Sequence, residues 1–260
     1  MDETLAALVQ KHDPDRFLTA LFAPPERRDA LFALYAFNHE LARAREVASE
    51  PTLALIRLQW WREVIDGAAR RHAVATPLSA AIDGGMLQRA DLHALIDARE
   101  IEAEPEIGTL AEWHAYLRAG AGGVAVAAAR VLGAPEPEAV RSLGAAYGVA
   151  GLLRSVPLLA GCGRCLLPAD LLVAQGVSVD SAIAAPNSPP VRAVLARLVE
   201  EGRALLRQGV RSPVPRGAIA AVLPAVLARR DLARWPRLAP ARRGIADRLA
   251  VTVAGLRRRL

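Results

Sequence analysis

The sequence predicts an all-α fold, one helical bundle spanning residues 1–260, on three observations. Ala and Leu dominate while aromatic residues make up only 4%, and both Ala and Leu favour helices. Apolar residues recur at three- and four-residue steps along most of the chain, the spacing of one helix face. No sustained strand alternation, internal repeat or low-complexity tract interrupts that pattern. At 260 residues, 53% hydrophobic and 23% charged, the chain is long and apolar enough for a sizeable core, which excludes global disorder. A nucleotide fold of the β-α-β kind needs G-x-G-x-x-G after a strand or a Walker lysine, and Lys11 is the sole lysine.

The elements follow in order. Leu31, Leu34, Tyr35, Asn38, Leu41 and Ala42 form one stripe of a helix over Ala30–Val47, with Pro24, Pro25 and Glu26 marking its start. Pro51 closes the gap to a helix over Leu53–Ala69, with Leu55, Leu58, Trp61 and Ile65 on one side. Trp60 and Trp61 are adjacent, so one faces the core and the other a rim. Helices over Asp91–Glu102 and Leu110–Leu132 come next, the second rich in Gly and Ala that permit close helix approach or leave room for a ligand. Pro135 and Pro137 break the chain before a long apolar helix over Ala139–Leu159. Gly161–Pro168 reads as a loop, and Pro186, Pro189 and Pro190 as a linker. Three helices remain, over Val191–Gln208, Gly217–Arg230 and Ala241–Leu260, for a bundle of about eight to ten in all. In the last, Ile245, Leu249, Val253, Leu256 and Leu260 form an apolar stripe bordered by Arg242, Arg243, Arg248 and Arg257–Arg259. Such a helix either closes the bundle or rests on an anionic membrane surface.

Net charge is +6, but residues 201–260 alone carry 14 arginines against Glu201, Asp231 and Asp247. That asymmetry points to an anionic partner or to a solvated arginine-rich surface. Arg257, Arg258 and Arg259 are the membrane-docking candidates. No aromatic–basic interleaving supports nucleic-acid binding. The longest charge-free stretches, Ser142–Leu153 and Gly217–Ala228, are 12 residues each, short of a bilayer span. Asp2 and Glu3 replace the basic start of a secretory leader, so the expected location is the cytoplasm, with peripheral attachment to the inner membrane. Cys162 and Cys165 form a lone C-x-x-C without a second ligand pair and read as ordinary loop residues.

Two stretches carry a family resemblance: Ala33-Leu34-Tyr35-Ala36-Phe37, and Gly144–Val156 followed by Gly163-Arg164-Cys165-Leu166-Leu167-Pro168. The second is similar to the squalene/phytoene synthase pattern G-x-A-x-Q-L-T-N-I-L-R-D-V, then a short spacer, then G-R-x-Y-L-P. The resemblance implies an isoprenoid synthase fold with a central cavity. In that family two aspartate-rich helices face each other and hold Mg²⁺, which binds and ionises prenyl diphosphates. Leaving diphosphate concentrates negative charge, and hard carboxylate oxygens are what anchor the metal.

This chain departs from the pattern at both motifs. The family's D-D-x-x-D falls on Ala42-Arg43-Ala44-Arg45-Glu46, and its D-x-x-x-D falls on Ser155 and Leu159. Gly148 and Gly151 stand where the family carries Gln and Asn. The acid pairs Glu46/Glu50, Glu63/Asp66 and Asp97/Glu100 read as helix ends or solvated faces, and Glu100, Glu102, Glu104 and Glu106 as a loop around Pro105. The expectation is therefore no catalytic residues, no metal ligands and no cofactor. Mg²⁺ enters only if the chain is an active head-to-head prenyltransferase. Tyr35, Asn38, His39, Glu46, Arg154 and Arg164 become candidates for binding a prenyl or lipid-like ligand in the former diphosphate cavity. Guanidinium grips phosphate without metal; alternatively Arg154 and Arg164 pair with Glu46 or backbone carbonyls in a structural role. The stretch Phe37-Asn38-His39-Glu40-Leu41, with Ile56-Arg57-Leu58-Gln59-Trp60-Trp61-Arg62, is similar to a branch containing mitochondrial complex I assembly factors. That likeness implies an assembly or binding factor for a membrane complex.

Overall fold

The computed structural model describes residues 4–48, 50–211, 214–237 and 243–260. Fifteen α-helices lie among the described residues, in chain order. They are α1 (Leu5–His12), α2 (Pro14–Ala20), α3 (Pro25–Glu46), α4 (Pro51–Ile65) and α5 (Ala75–Asp83). Next come α6 (Arg89–Glu100), α7 (Leu110–Ala119), α8 (Ala121–Val131), α9 (Arg141–Gly161) and α10 (Ala169–Ala174). The chain continues with α11 (Val179–Ala184), α12 (Pro189–Val210), α13 (Ile219–Val222), α14 (Pro224–Arg234) and α15 (Ile245–Arg257). No strand is present among the described residues.

The count exceeds the expected eight to ten for physical reasons. Gly120, at φ −73 and ψ −91, breaks the anticipated Leu110–Leu132 helix into α7 and α8. Pro224 splits the next-to-last helix, because proline lacks the N–H that would continue the ladder. Helices α10 and α11 have six residues each, too short for periodicity to signal. Of the anticipated C-terminal helix, Ala241 and Arg242 lie outside the described residues.

Helix α3 buries Leu31, Leu34, Tyr35, Phe37 and Leu41, each contributing about 1.5–3 kcal/mol of hydrophobic stabilisation. Its neighbour α4 turns Leu58, Trp61 and Ile65 inward, with Trp60 only partly covered. Leu55, expected on that face, is instead exposed. The run Pro137–Gly161 is long and apolar enough to span a membrane by length and composition alone. Here α9 is the central column of the bundle, packed between α8, α12 and α14. Glycines make the α8 crossing close: a Cβ at Gly144 would meet the Ala125 Cβ at 2.5 Å, and one at Gly148 the Ala121 Cβ at 2.6 Å. The small residues therefore serve helix approach at this crossing. Gly151, one turn on, has open space before it.

The apolar stripe expected on the last helix is present but turned outward. Val251, Ala254 and Gly255 face the bundle, while Ile245, Leu249, Val253 and Leu256 are exposed. Arg257, Arg258 and Arg259 are exposed at its end.

Candidate functional site

A polar mouth opens between α3 and α9. Helix α3 contributes Asn38, Ala42 and Glu46, one face at four-residue steps. Helix α9 answers with Gly148, Gly151, Ser155 and Leu159 from its own face, and with Arg154. The end of α7 supplies Tyr116; its start is fixed by a capping box in which Thr109 and Glu112 satisfy each other's backbone N–H groups. Arg164 arrives on the loop after α9, held where the backbone bridges Ile107 to Pro168. Gly120, the N-cap of α8, and Ala121, its first residue, also open into the mouth and add the positive end of a helix dipole.

Glu102 is the centre of this arrangement. The expected loop is a 3₁₀ turn, Ile101–Ala103, and it buries the Glu102 side chain at the mouth. Glu102 Oε1 accepts from Arg99 Nη1 at 2.6 Å and from the Tyr116 hydroxyl at 2.7 Å. Its Oε2 accepts from Arg164 Nη2 at 2.9 Å. Arg99 Nη2 also donates to Asn38 Oδ1 at 3.2 Å. Burial pushes the Glu102 carboxyl up, but the Arg99 charge and the bonds from Tyr116 and Arg99 outweigh it, with Arg164 adding to them. The carboxyl stays below its ordinary value and is ionised. Burial against that charge raises the Tyr116 hydroxyl, so it remains a donor. Sequence reasoning missed Glu102, Arg99 and Tyr116; the only signal was an acid three residues after Arg99 at a helix end.

The other candidates separate. Asn38, Glu46, Arg154 and Arg164 line the mouth. Arg164 pairs with Glu102 rather than Glu46, and Arg154 Nε lies 3.7 Å from Asp231 Oδ2 behind the mouth, an acid absent from the expected pairing. His39 is not in the cavity: it stacks on His12 with centroids 4.4 Å apart, because α3 turns it toward α1. Tyr35 lies deeper, at the floor. Cys162 and Cys165 are free thiols.

The cavity narrows sharply below the mouth. The mouth encloses about 230 Å³, whereas the space behind it, bounded by Tyr35, Gly144 and Tyr147, holds only about 10 Å³, room for about one water. Arg16 fills this floor, its guanidinium carbon 5.7 Å from the Tyr35 ring centroid and 5.1 Å from that of Tyr147. Sites for drug-sized ligands run to about 300–1,000 Å³. The mouth suits a small anion.

The donor set does not fit a magnesium cluster. Ala42, Ser155 and Leu159 stand at the motif positions facing this cavity, and both oxygens of Glu102 are taken by guanidinium and phenol donors. Glu46 alone is left, against a need for several hard oxygens per ion. Among the described residues, no group of three His, Cys, Asp or Glu side chains is arranged to hold a metal.

The squalene/phytoene synthase family model matches residues 9–243. The chain belongs to the squalene/phytoene synthase family. Within this family it is 28% identical over 202 residues to bovine NADH dehydrogenase (ubiquinone) complex I, assembly factor 6, covering 75% of this chain and 61% of that protein. The chain thus spans about three fifths of the length of that relative. It is 27% identical over 248 residues to presqualene diphosphate synthase of Rhodopseudomonas palustris, covering 88% of each. A crystal structure of a dehydrosqualene synthase in complex with ligand superposes with a TM-score of 0.78 at 16% identity, over 97% of this chain and 94% of that one. Squalene synthase HpnC from Alicyclobacillus acidocaldarius does so with 0.71 at 20%, over 97% and 93%. Both share the isoprenoid synthase fold with this chain.

Proposed function

We propose that this squalene/phytoene synthase-family chain performs no prenyl-diphosphate chemistry and acts by binding, as an assembly factor for a membrane-bound respiratory complex. One observation carries the reading. The helices that face each other across the cavity present Ala42, Ser155 and Leu159 at the family's metal-ligand positions, and the buried acid nearby, Glu102, is neutralised by two arginines. Diphosphate departure without clamped metal lacks the charge stabilisation on which that reaction depends. The similarity to complex I assembly factor 6 supports the positive half of the proposal. Deleting the gene in its host is expected to reduce assembled complex I on native gels and NADH-dependent quinone reduction. Normal assembly in the deletion strain overturns the reading.

A second reading is favoured by the match to presqualene diphosphate synthase along 88% of both chains: head-to-head condensation of prenyl diphosphates. Purified protein incubated with farnesyl diphosphate and Mg²⁺ is expected to release no diphosphate. Metal-dependent turnover would establish the second reading and end the first.

A further inference from the structure

The C-terminal quarter carries its charges unevenly between surface and interior. Glu201 pairs with His114 and Arg197. Asp231 is buried against Arg243, and Asp247 against Arg230 and Arg234. Every acid in residues 201–260 is thus engaged, and the outer surface there is left to arginine. On α15 the outward face is apolar as well: Ile245 is 78% exposed, Leu249 57% and Leu256 74%. The helical period sets Arg248 and Arg257 on opposite flanks of that stripe. The opposite face is committed to the bundle, since a Cβ at Gly255 would lie 2.5 Å from the Phe22 ring.

The stripe leads to Leu260, which lines a groove of about 670 Å³ between α12 and α14. Leu143, Leu206, Val226 and Leu232 line it, Arg207, Arg211 and Arg229 border it, and among the described residues no acid lines it. A long apolar strip left in water is costly and marks an interaction surface. Flanking arginines can extend toward phosphates while their methylene stems cover the apolar strip. A second copy of the same face would set arginine against arginine, whereas an anionic bilayer supplies both the apolar layer and the countercharge.

We propose that α15, together with the arginine-bordered groove between α12 and α14, is a docking face for the surface of an anionic phospholipid bilayer. Helix α15 lies in the headgroup layer with Ile245, Leu249 and Leu256 downward, and Arg207, Arg211 and Arg229 meet lipid phosphate. This is independent of whether the polar mouth binds a ligand or the protein serves complex I.

The test is co-sedimentation of the full chain with vesicles of phosphatidylcholine alone and of phosphatidylcholine mixed with phosphatidylglycerol. Binding is expected only to the mixed vesicles, falling as salt screens the arginines. The double variant Leu249→Asp/Leu256→Asp changes two exposed side chains, so its melting temperature is expected to match the wild type while vesicle affinity falls more than tenfold. Arg207→Ala/Arg229→Ala is expected to lower affinity by roughly an order of magnitude. Equal binding to both vesicle types, or undiminished binding by the aspartate variant, overturns the proposal. A concentration-dependent dimer in ultracentrifugation that Leu249→Asp/Leu256→Asp abolishes would assign the face to self-association and overturn it too.

Discussion

Two buried ionic clusters in this protein use the same chemistry for different ends. At the cavity mouth, one carboxylate, Glu102, gathers Arg99, Arg164 and Tyr116. At the C-terminal side, Arg243 bridges two carboxylates, donating to Asp231 Oδ1 at 2.6 Å and to Asp15 Oδ2 at 3.0 Å, while Tyr147 donates to the same Asp15 oxygen at 3.1 Å. The first cluster joins neighbouring elements around an opening, and its surplus is cationic. The second joins α2, α14 and the segment before α15, segments as far apart in sequence as 228 residues, and sets its cation between two acids. One is open to an anion; the other holds the C-terminal segment to the bundle.

The sharpest way to break this contrast is to remove each hub. Arg243→Ala removes the cation shared by Asp15 and Asp231, leaving Arg154 and Arg234 at 3.7 and 3.5 Å from Asp231. Breaking a buried ion pair costs about 3–5 kcal/mol, and with those two arginines still near Asp231 urea unfolding at neutral pH is expected to show a loss at the lower end, about 3 kcal/mol. Glu102→Gln strands two guanidiniums, but at the mouth Arg99 and Arg164 retain some access to water, so the expected loss is smaller, about 2 kcal/mol. The same substitution frees their donors: inorganic pyrophosphate is expected to raise the melting temperature of Glu102→Gln more than that of the wild type. Equal losses in the two variants, with no pyrophosphate difference, would erase the distinction between the two clusters.

The two clusters also differ in how legible they were. The bundle itself was plain from three- and four-residue spacing, because burial of one helix face leaves that imprint along long helices such as α3 and α12. The motif positions Ala42, Ser155 and Leu159 were legible from the resemblance, and they do line one cavity. Glu102 was not, since a carboxylate after a helix end looks solvated until α7 and the loop carrying Arg164 fold over it. His39, a candidate for the cavity, does not share it with Asn38: neighbours on a helix point about 100° apart, and it stacks on His12 instead. The outward stripe of α15 was read with its period right. Its direction was open, because a period fixes which residues share a face and says nothing about what that face meets.

A pH titration sharpens the comparison on the C-terminal side. Asp247 accepts from Arg230 Nε at 2.6 Å and from Arg234 Nη2 at 2.6 Å. The Arg234 bond leads in pulling its carboxyl to about 2, against a burial effect that pushes the other way and with Arg230 assisting. A depressed folded-state value means the stabilisation is complete above the ordinary carboxylate value of about 4 and is lost as pH falls toward about 2. Asp247→Asn is therefore expected to cost on the order of 2 kcal/mol at pH 7 and to flatten the acid limb of a stability–pH profile between about pH 4 and 2. An unchanged acid limb in the variant would place the stabilisation elsewhere.

The smallest effects come from the two phenols, one in each cluster. Tyr116 donates to Glu102 at 2.7 Å, whereas Tyr147 donates to Asp15 at 3.1 Å. Hydrogen bonds to ionised acceptors contribute about 1.5–3 kcal/mol, and shorter ones stand at the upper end. Removing the Tyr116 hydroxyl also leaves Glu102 one donor short, although Arg99 and Arg164 still cover both of its oxygens. Asp15 is in the same position with Arg243. The bond lengths then decide: Tyr116→Phe is expected to lower stability by about 1.5 kcal/mol and Tyr147→Phe by about 1 kcal/mol, read from paired urea curves with unchanged slopes. A reversed order would mean that the surroundings of each bond outweigh its length, making the C-terminal cluster the stronger of the two donor by donor as well as at its hub.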